Sequence, residues 1–397
     1  MYYLAKEIFY KVIIILQFFL FARNKKNDKT LYFYKSVFKF FYKTIFLFLM
    51  KGKTKNYIIT AGGTGGHIFP ALSLCERIIK KNSRNAKIFF VTDERFTDDY
   101  KAKYQKLFDT GLVAIVRLPI RSFNKKKIFS FGYALITSIV KSFALVLTKK
   151  PRFIFGFGGY ASLPILTCGV LLGKKILLHE QNAVIGRVTD WFLPFASRLF
   201  TTFKNTEGVA KKYQAKTSVS GMIFSQKMLK CKIQETQIDF KNNTYNIFIL
   251  GGSLGSTVFA SSLAHWLGEI CKADNELSNK KICVFHQINK KHESIIVELE
   301  TIYKSANLDA VIKTFFTNPE EIMLNTNLLI SRAGAGVVCE AILFNVNTIF
   351  VPIKNAIKNH QLKNANLASK AKGNIITIEE DEFNHTSLQN AILKLKS

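Results

Sequence analysis

A chain of 397 residues is long enough for two domains with ordinary cores. Its formal net charge is +30, but the lysines are spread along the chain and no nucleic-acid module is visible, so nucleic acid is excluded as a partner. Two sources of charge stay open: work against anionic lipid and anionic pyrophosphates, or a genome biased toward Lys, Asn, Ile and Phe codons. The cysteines, Cys75, Cys168, Cys231, Cys271, Cys283 and Cys339, lack CxxC spacing and sit mostly in apolar runs. That pattern excludes a zinc site and a disulfide frame and reads as reduced core thiols of a cytosolic protein.

Residues 1–49 form an apolar, basic extension. Its two aromatic-rich stretches, 8–22 and 31–50, are interrupted by Lys11 and by Lys35, Lys39 and Lys43. Neither is a clean span of roughly 20 apolar residues, and no small-residue cleavage site follows. Two readings stand: a segment that lies on a membrane, or translation that begins at Met50.

Residues 50–213 alternate strands and helices. A strand over 57–61 runs into Gly62-Gly63-Thr64-Gly65-Gly66-His67, and a helix with Pro70 in its first turn follows. A strand, a glycine turn and a helix N-terminus gather free N–H groups, which suits a phosphate, a pyrophosphate or an oxyanion. A P-loop fails because no Lys-Ser/Thr pair closes the turn. The dinucleotide fingerprint is weakened because its third glycine position holds Ile68, although Asp93 could imitate the ribose-binding acid. A tight βα turn without a ligand is the bland alternative. Strands follow over 87–92, 113–118, 152–156 and 176–178, with an apolar helix over 132–148. A second glycine turn is Gly156-Phe157-Gly158-Gly159-Tyr160, and 176–178 ends in His179-Glu180-Gln181-Asn182. Around 117–150, Arg121, Lys125, Lys126 and Lys127 mix with Phe123, Phe129, Phe131 and Tyr133. This suits a membrane surface, or an ordinary amphipathic helix.

Residues 214–397 restart the pattern, with strands over 245–250, 282–285, 311–316, 327–331 and 347–351 and a helix over 362–370. The first strand meets Gly251-Gly252-Ser253. The fourth meets Arg332-Ala333-Gly334-Ala335-Gly336 and a helix carrying Glu340, within about two turns of its start. A carboxylate there can accept hydrogen bonds from a ribose diol while a diphosphate sits at the helix end; a solvated helix residue is the plain alternative. Repeated strand, loop and helix indicate α/β doubly wound parallel sheets, which bind ligands at their C-terminal edges.

These motifs in this order, together with His360-Gln361 and Asn364-Ala365, resemble the MurG family of glycosyltransferases over roughly residues 55–372. The resemblance implies the GT-B fold, two Rossmann-like domains facing across a cleft. It implies an inverting transfer of N-acetylglucosamine from UDP-N-acetylglucosamine to the muramyl C4 hydroxyl of undecaprenyl-linked lipid I, in peptidoglycan synthesis. It implies no cofactor, no metal, and a peripheral place on an anionic membrane surface, the cytoplasmic face of the bacterial inner membrane. By the same resemblance Phe316 meets uracil through its backbone, and Ala335, Gly336, Val337, Val338, Cys339 and Glu340 surround diphosphate and ribose. Ser253 meets a phosphate and Gln361 the sugar hydroxyls. Thr64, Gly65, Gly66 and Asn182 complete the donor site and face the acceptor, and His67 is the candidate base or proton relay, or a phosphate partner.

Three departures stand out. Ser225 occupies the place of a donor-contacting Arg in Gly221-Met222-Ile223-Phe224-Ser225. Lys354 and Lys358 make a usually acidic loop basic and could replace that charge. The chain stops short of a tail expected to pack on the first domain. The alternatives are therefore a catalytically impaired UDP-sugar-binding membrane protein, or a related diacylglycerol glycosyltransferase.

Overall fold

The computed structural model describes residues 55–81, 86–120, 128–231, 244–251, 259, 262–354 and 356–396. The extension 1–49, the basic loop 121–127 and the turn with Ser253 lie outside the described residues.

In chain order the first half contains β1 (Lys55–Thr60), α1 (Gly65–Lys81), β2 (Ala86–Thr92), α2 (Asp98–Lys103), α3 (Gln105–Phe108), β3 (Val113–Arg117) and α4 (Ile128–Lys149). It continues with β4 (Phe153–Gly156), α5 (Ser162–Leu171), β5 (Ile176–Glu180), α6 (Arg187–Phe192), β6 (Arg198–Thr201) and β7 (Thr217–Val219). After α7 (Gln226–Cys231) come β8 (Thr244–Leu250), α8 (Leu263–Ala273), β9 (Lys281–Gln287), α9 (Ile296–Ser305) and β10 (Asp309–Lys313). The second half closes with α10 (Pro319–Leu324), β11 (Leu328–Ser331), α11 (Ala335–Phe344), β12 (Asn347–Phe350), α12 (His360–Ala371), β13 (Ile375–Thr377) and α13 (His385–Lys396).

Two parallel sheets result. One has the order β3-β2-β1-β4-β5-β6-β7, the other β10-β9-β8-β11-β12-β13. Strands β1, β2, β11 and β12 are buried along most of their length because helices cover both faces of each sheet. Each sheet thus carries two apolar clusters, one per face. In each, chain order reverses at one point, between β1 and β4 and between β8 and β11. Ligand crevices in doubly wound sheets open there.

Several expectations shift. Helix α1 starts at Gly65, so Pro70 lies beyond its first turn, where the ring removes the amide that would bond the Gly66 carbonyl. The strand expected over 311–316 ends at Lys313, leaving Phe316 on the loop behind it. Strands β6, β7 and β13 are short, and β7 is barely covered, so no long apolar run announces it. The first sheet therefore runs to Val219, past residue 213, where the sequence divides the halves. Helix α13 packs on the second sheet's core through Leu388, Ala391 and Ile392.

Candidate functional site at the seam between the sheets

The two glycine turns of the first sheet lock together backbone to backbone. Gly62 N–H donates to the Gly158 carbonyl at 3.4 Å. Gly159 has φ +78°, and a Cβ there would sit 2.3 Å from the Gly62 oxygen. Neither a side chain nor an ordinary right-handed backbone fits. Asp93 pins the first turn from below, accepting the Gly63 amide at 3.1 Å and the Arg95 amide at 3.0 Å, with the Arg95 guanidinium paired to it. Its carboxylate is buried and fully engaged, so it anchors the turn and cannot serve a ribose. The same network sets Arg95 over Gly63, 3.4 Å from where a Cβ would lie.

His67 stands in the first turn of α1, half-buried, against Gly158 of the second turn. Its Nδ1 lies 2.8 Å from Gln181 Oε1. Gln181 Nε2 lies 3.1 Å from His179 Nδ1, and His179 Nε2 lies 3.3 Å from the Gly221 carbonyl. His179 stacks on Phe157 with centroids 5.2 Å apart. Burial, then the nearby His67, pushes its imidazole down to about 4, so it is neutral near pH 7. Glu180, also buried, accepts the Asn182 amide and side chain at 3.1 Å each and the Gly186 amide at 2.8 Å, which shapes the loop.

Across the seam, Asn364 near the start of α12 is 0% exposed. It accepts the Ala183 amide at 2.8 Å and donates to Asn182 Oδ1 at 3.2 Å and to the Ala333 carbonyl at 3.1 Å. One side chain therefore ties the His179–Asn182 loop to the turn that opens α11. Lys363 pairs with Glu207, and Lys358 donates to the Ile185 carbonyl at 3.1 Å. At the other end of the seam, the Tyr100 ring lies 6.0 Å from Phe315 and its hydroxyl pairs with the Gly65 backbone. Lys103 lies over the Phe69 ring at 4.8 Å and 3.6 Å from the buried Glu320 carboxylate. Glu340, half-buried on α11, shares this environment. Burial pushes its carboxyl above the ordinary range, Lys103 pulls it back, and Glu320 adds to the rise.

Of the site residues expected from sequence, Asn182 bonds Asn364 across this seam and Glu340 interacts with Lys103 across it. Thr64 is exposed, and Gly65 and Gly66 sit at the N-terminus of α1. Ala335 to Glu340 form the first turns of α11, and a Cβ on Gly336 would meet nothing within 4 Å. The Phe316 ring packs into the core against Phe248 at 5.7 Å, which leaves its backbone as the part that can face a ligand. Gln361 Oε1 accepts the Ile353 amide at 3.1 Å. Ser225 lies away from any ligand role: its Oγ accepts the Met228 amide at 3.1 Å and caps α7. Lys354 pairs with Asp381, and Lys358 donates to the Ile185 carbonyl and lies near Asp190. Sequence reasoning overlooks Lys103 and Glu320, which become neighbours only when the halves meet. Gln181 is read from sequence only as part of the His179-Glu180-Gln181-Asn182 motif, and its contact with His67 appears only in the structure.

The Glycosyltransferase family 28 N-terminal domain matches residues 57–201, and the family's C-terminal domain matches residues 246–397. A Rickettsia bellii (strain RML369-C) protein is 30% identical over 343 residues, covering 86% of this chain and 91% of its own. A Wolbachia pipientis wMel protein is 33% identical over 327 residues, covering 82% and 85%. Both are named UDP-N-acetylglucosamine--N-acetylmuramyl-(pentapeptide) pyrophosphoryl-undecaprenol N-acetylglucosamine transferase. The crystal structure of Acinetobacter baumannii MurG superposes with a TM-score of 0.62 at 21% identity, covering 86% of this chain and 91% of that one. Methanocaldococcus jannaschii UDP-GlcNAc 2-epimerase, solved with UDP-GlcNAc and UDP, superposes at 0.56 and 15% identity, covering 87% and 93%. At these identities the two structures speak for the fold.

Proposed function

The chain belongs to glycosyltransferase family 28 and, within it, to the MurG family, and from that premise we propose that it converts lipid I to lipid II. It is a UDP-N-acetylglucosamine-dependent N-acetylglucosaminyltransferase of peptidoglycan synthesis. The acceptor we propose is the C4 hydroxyl of the muramyl sugar on undecaprenyl-pyrophosphoryl-MurNAc-pentapeptide.

The observation that carries this reading is the Asn364 bridge, with Tyr100 and Lys103 at the other end of the seam. It supports one crevice served by two helix N-termini, α1 and α11. In our reading the α11 end takes the donor diphosphate, Glu340 the ribose, the Phe316 backbone the uracil and Gln361 the sugar hydroxyls. Thr64, Gly65, Gly66 and Asn182 face the acceptor pyrophosphate. His67 takes the proton of the C4 hydroxyl as its oxygen bonds to C1 of N-acetylglucosamine. The bond from C1 to the phosphate oxygen breaks, its electron pair leaves with UDP, and the anomeric centre inverts. Oriented amides receive the developing charge.

Membrane contact is assigned to α4. Its segment Ser130–Lys149 is long and apolar enough to cross a membrane by length and composition. Tyr133, 73% exposed, with Ile136 and Val140, forms one outward face beside Lys141. We propose that this face lies on the anionic cytoplasmic surface of the inner membrane.

The test supplies radiolabelled UDP-N-acetylglucosamine and a lipid I analogue to the full chain. Transfer is expected, and Glu340→Ala should raise donor KM more than it lowers kcat. Binding of the nucleotide sugar without transfer would overturn the enzymatic reading, and transfer to diacylglycerol instead would overturn the acceptor.

A further inference from the structure

We infer that Gln181 is a positioning residue: it holds His67 in the tautomer protonated on Nδ1, which keeps the Nε2 lone pair for the acceptor hydroxyl. The inference rests on the transferase reading for its use, but not for its geometry.

Proton positions along this chain follow from its two ends. Gln181 Nε2 lies 3.2 Å from the backbone oxygen of its neighbour His179. A carbonyl only accepts, so the NH2 end of the amide faces His179. Reversing the amide would set two oxygens against each other at that distance. The Oε1 end therefore faces His67 Nδ1, at 2.8 Å, and this pair needs a proton on the imidazole. The second end gives the same answer independently. His179 Nε2 lies 3.3 Å from the Gly221 carbonyl, again an acceptor, so the proton of neutral His179 sits on Nε2. Its Nδ1 is then the acceptor that Gln181 Nε2 requires at 3.1 Å. Ser220 Oγ, 3.2 Å from His179 Nε2, fits as a further acceptor because it can turn its own proton to the Thr201 or Gly221 carbonyl. The N–H donors of the row thus run in one direction, from His67 through Gln181 and His179 to the Gly221 carbonyl.

Gln181 and His179 are each 1% exposed, so water does not compete for these contacts. The chemistry suits a base that must turn over. An imidazole tautomer is set by the bond its other nitrogen makes. With Nδ1–H held by a neutral amide, Nε2 can accept a proton and the bond survives, since an imidazolium donates from both nitrogens. The far anchor, Gly221 at φ +71°, begins the segment that leads from the first sheet toward the second. Alignment of the base is thereby tied to the path of that segment.

The test is nitrogen NMR on the full chain labelled with 15N-histidine, run beside the transfer assay. The His67 signal is identified by its loss in His67→Gln. The proton is expected on Nδ1 in the unmodified protein. In Gln181→Leu the proton should shift toward Nε2, with kcat reduced about tenfold or more and donor KM held within about twofold. If Gln181→Leu does not fold, Gln181→Met, unbranched and without an amide, takes its place. A His67 proton on Nε2 in the unmodified protein overturns the inference even in an active enzyme. So does a variant that keeps both the tautomer and kcat. An Nδ1 proton in a chain that transfers nothing bears out the tautomer and overturns only the transferase reading.

Discussion

Ser225 shows how a residue can sit at a ligand-binding place in sequence and serve the fold instead. Its hydroxyl is buried and accepts the Met228 amide at the start of α7. Ser225→Ala should cost about 1 kcal/mol, the usual worth of a lost N-cap, and leave donor KM unchanged. Urea unfolding and donor saturation curves check the two halves; a rise in KM would mean that the hydroxyl reaches the nucleotide after all. Asp93 is a second case. It looks like a ribose acid by position, but its oxygens hold the Gly63 and Arg95 amides. In both, the residue type fits two chemistries, and the partner that folding brings near decides between them. Gln181 is the reverse: an amide known from sequence only as part of a motif, which the fold sets between two imidazoles.

At the scale of elements, the glycine turns divide by what surrounds them. Gly159 combines φ +78° with a backbone oxygen 2.3 Å from a prospective Cβ, so its glycine is structural. Gly66, in the first turn of α1, has only Thr64 Oγ1 at 3.7 Å. Gly159→Ala should therefore lose about 2 kcal/mol or more of stability. Gly66→Ala should hold or gain up to about 1 kcal/mol from helix propensity. If Gly66 is needed for close approach of a ligand, its alanine variant will raise substrate KM in a protein of undiminished Tm. Unchanged kinetics in that variant would remove the turn from the site. The repeated glycines in sequence mark both turns, but they do not say which glycine serves backbone packing and which leaves room.

On the scale of the whole molecule, two imidazoles are buried in separate sheets. His179 in the first and His286 in the second, bonded to Tyr303 at 2.9 Å, are each pushed from 6.5 down to about 4, chiefly by burial. Between those values the unfolded chain binds protons that the native state refuses. Stability is therefore complete above about pH 6.5 and falls as pH drops toward 4, by about 2–3 kcal/mol for each histidine. Urea midpoints from pH 7 to pH 4 should show this fall, and His286→Gln should flatten it; an equally steep profile in the variant would exclude His286 as a cause. The sequence by itself determined the alternation of strands and helices, the apolar runs that become doubly covered parallel strands, and the glycine turns at their carboxyl ends. Those are local properties, set by side-chain period, backbone freedom and hydrophobic pattern. Short strands such as β7 escaped it because three half-covered residues carry no such pattern. Only the tertiary structure brought Asn364 to Asn182, Lys103 to Glu320 and Glu340, and Gln181 to His67. Residues far apart in the chain meet there through the packing of sheets and helices, and a hydrogen bond or a desolvated charge depends on ångström distances that no spacing in the chain encodes.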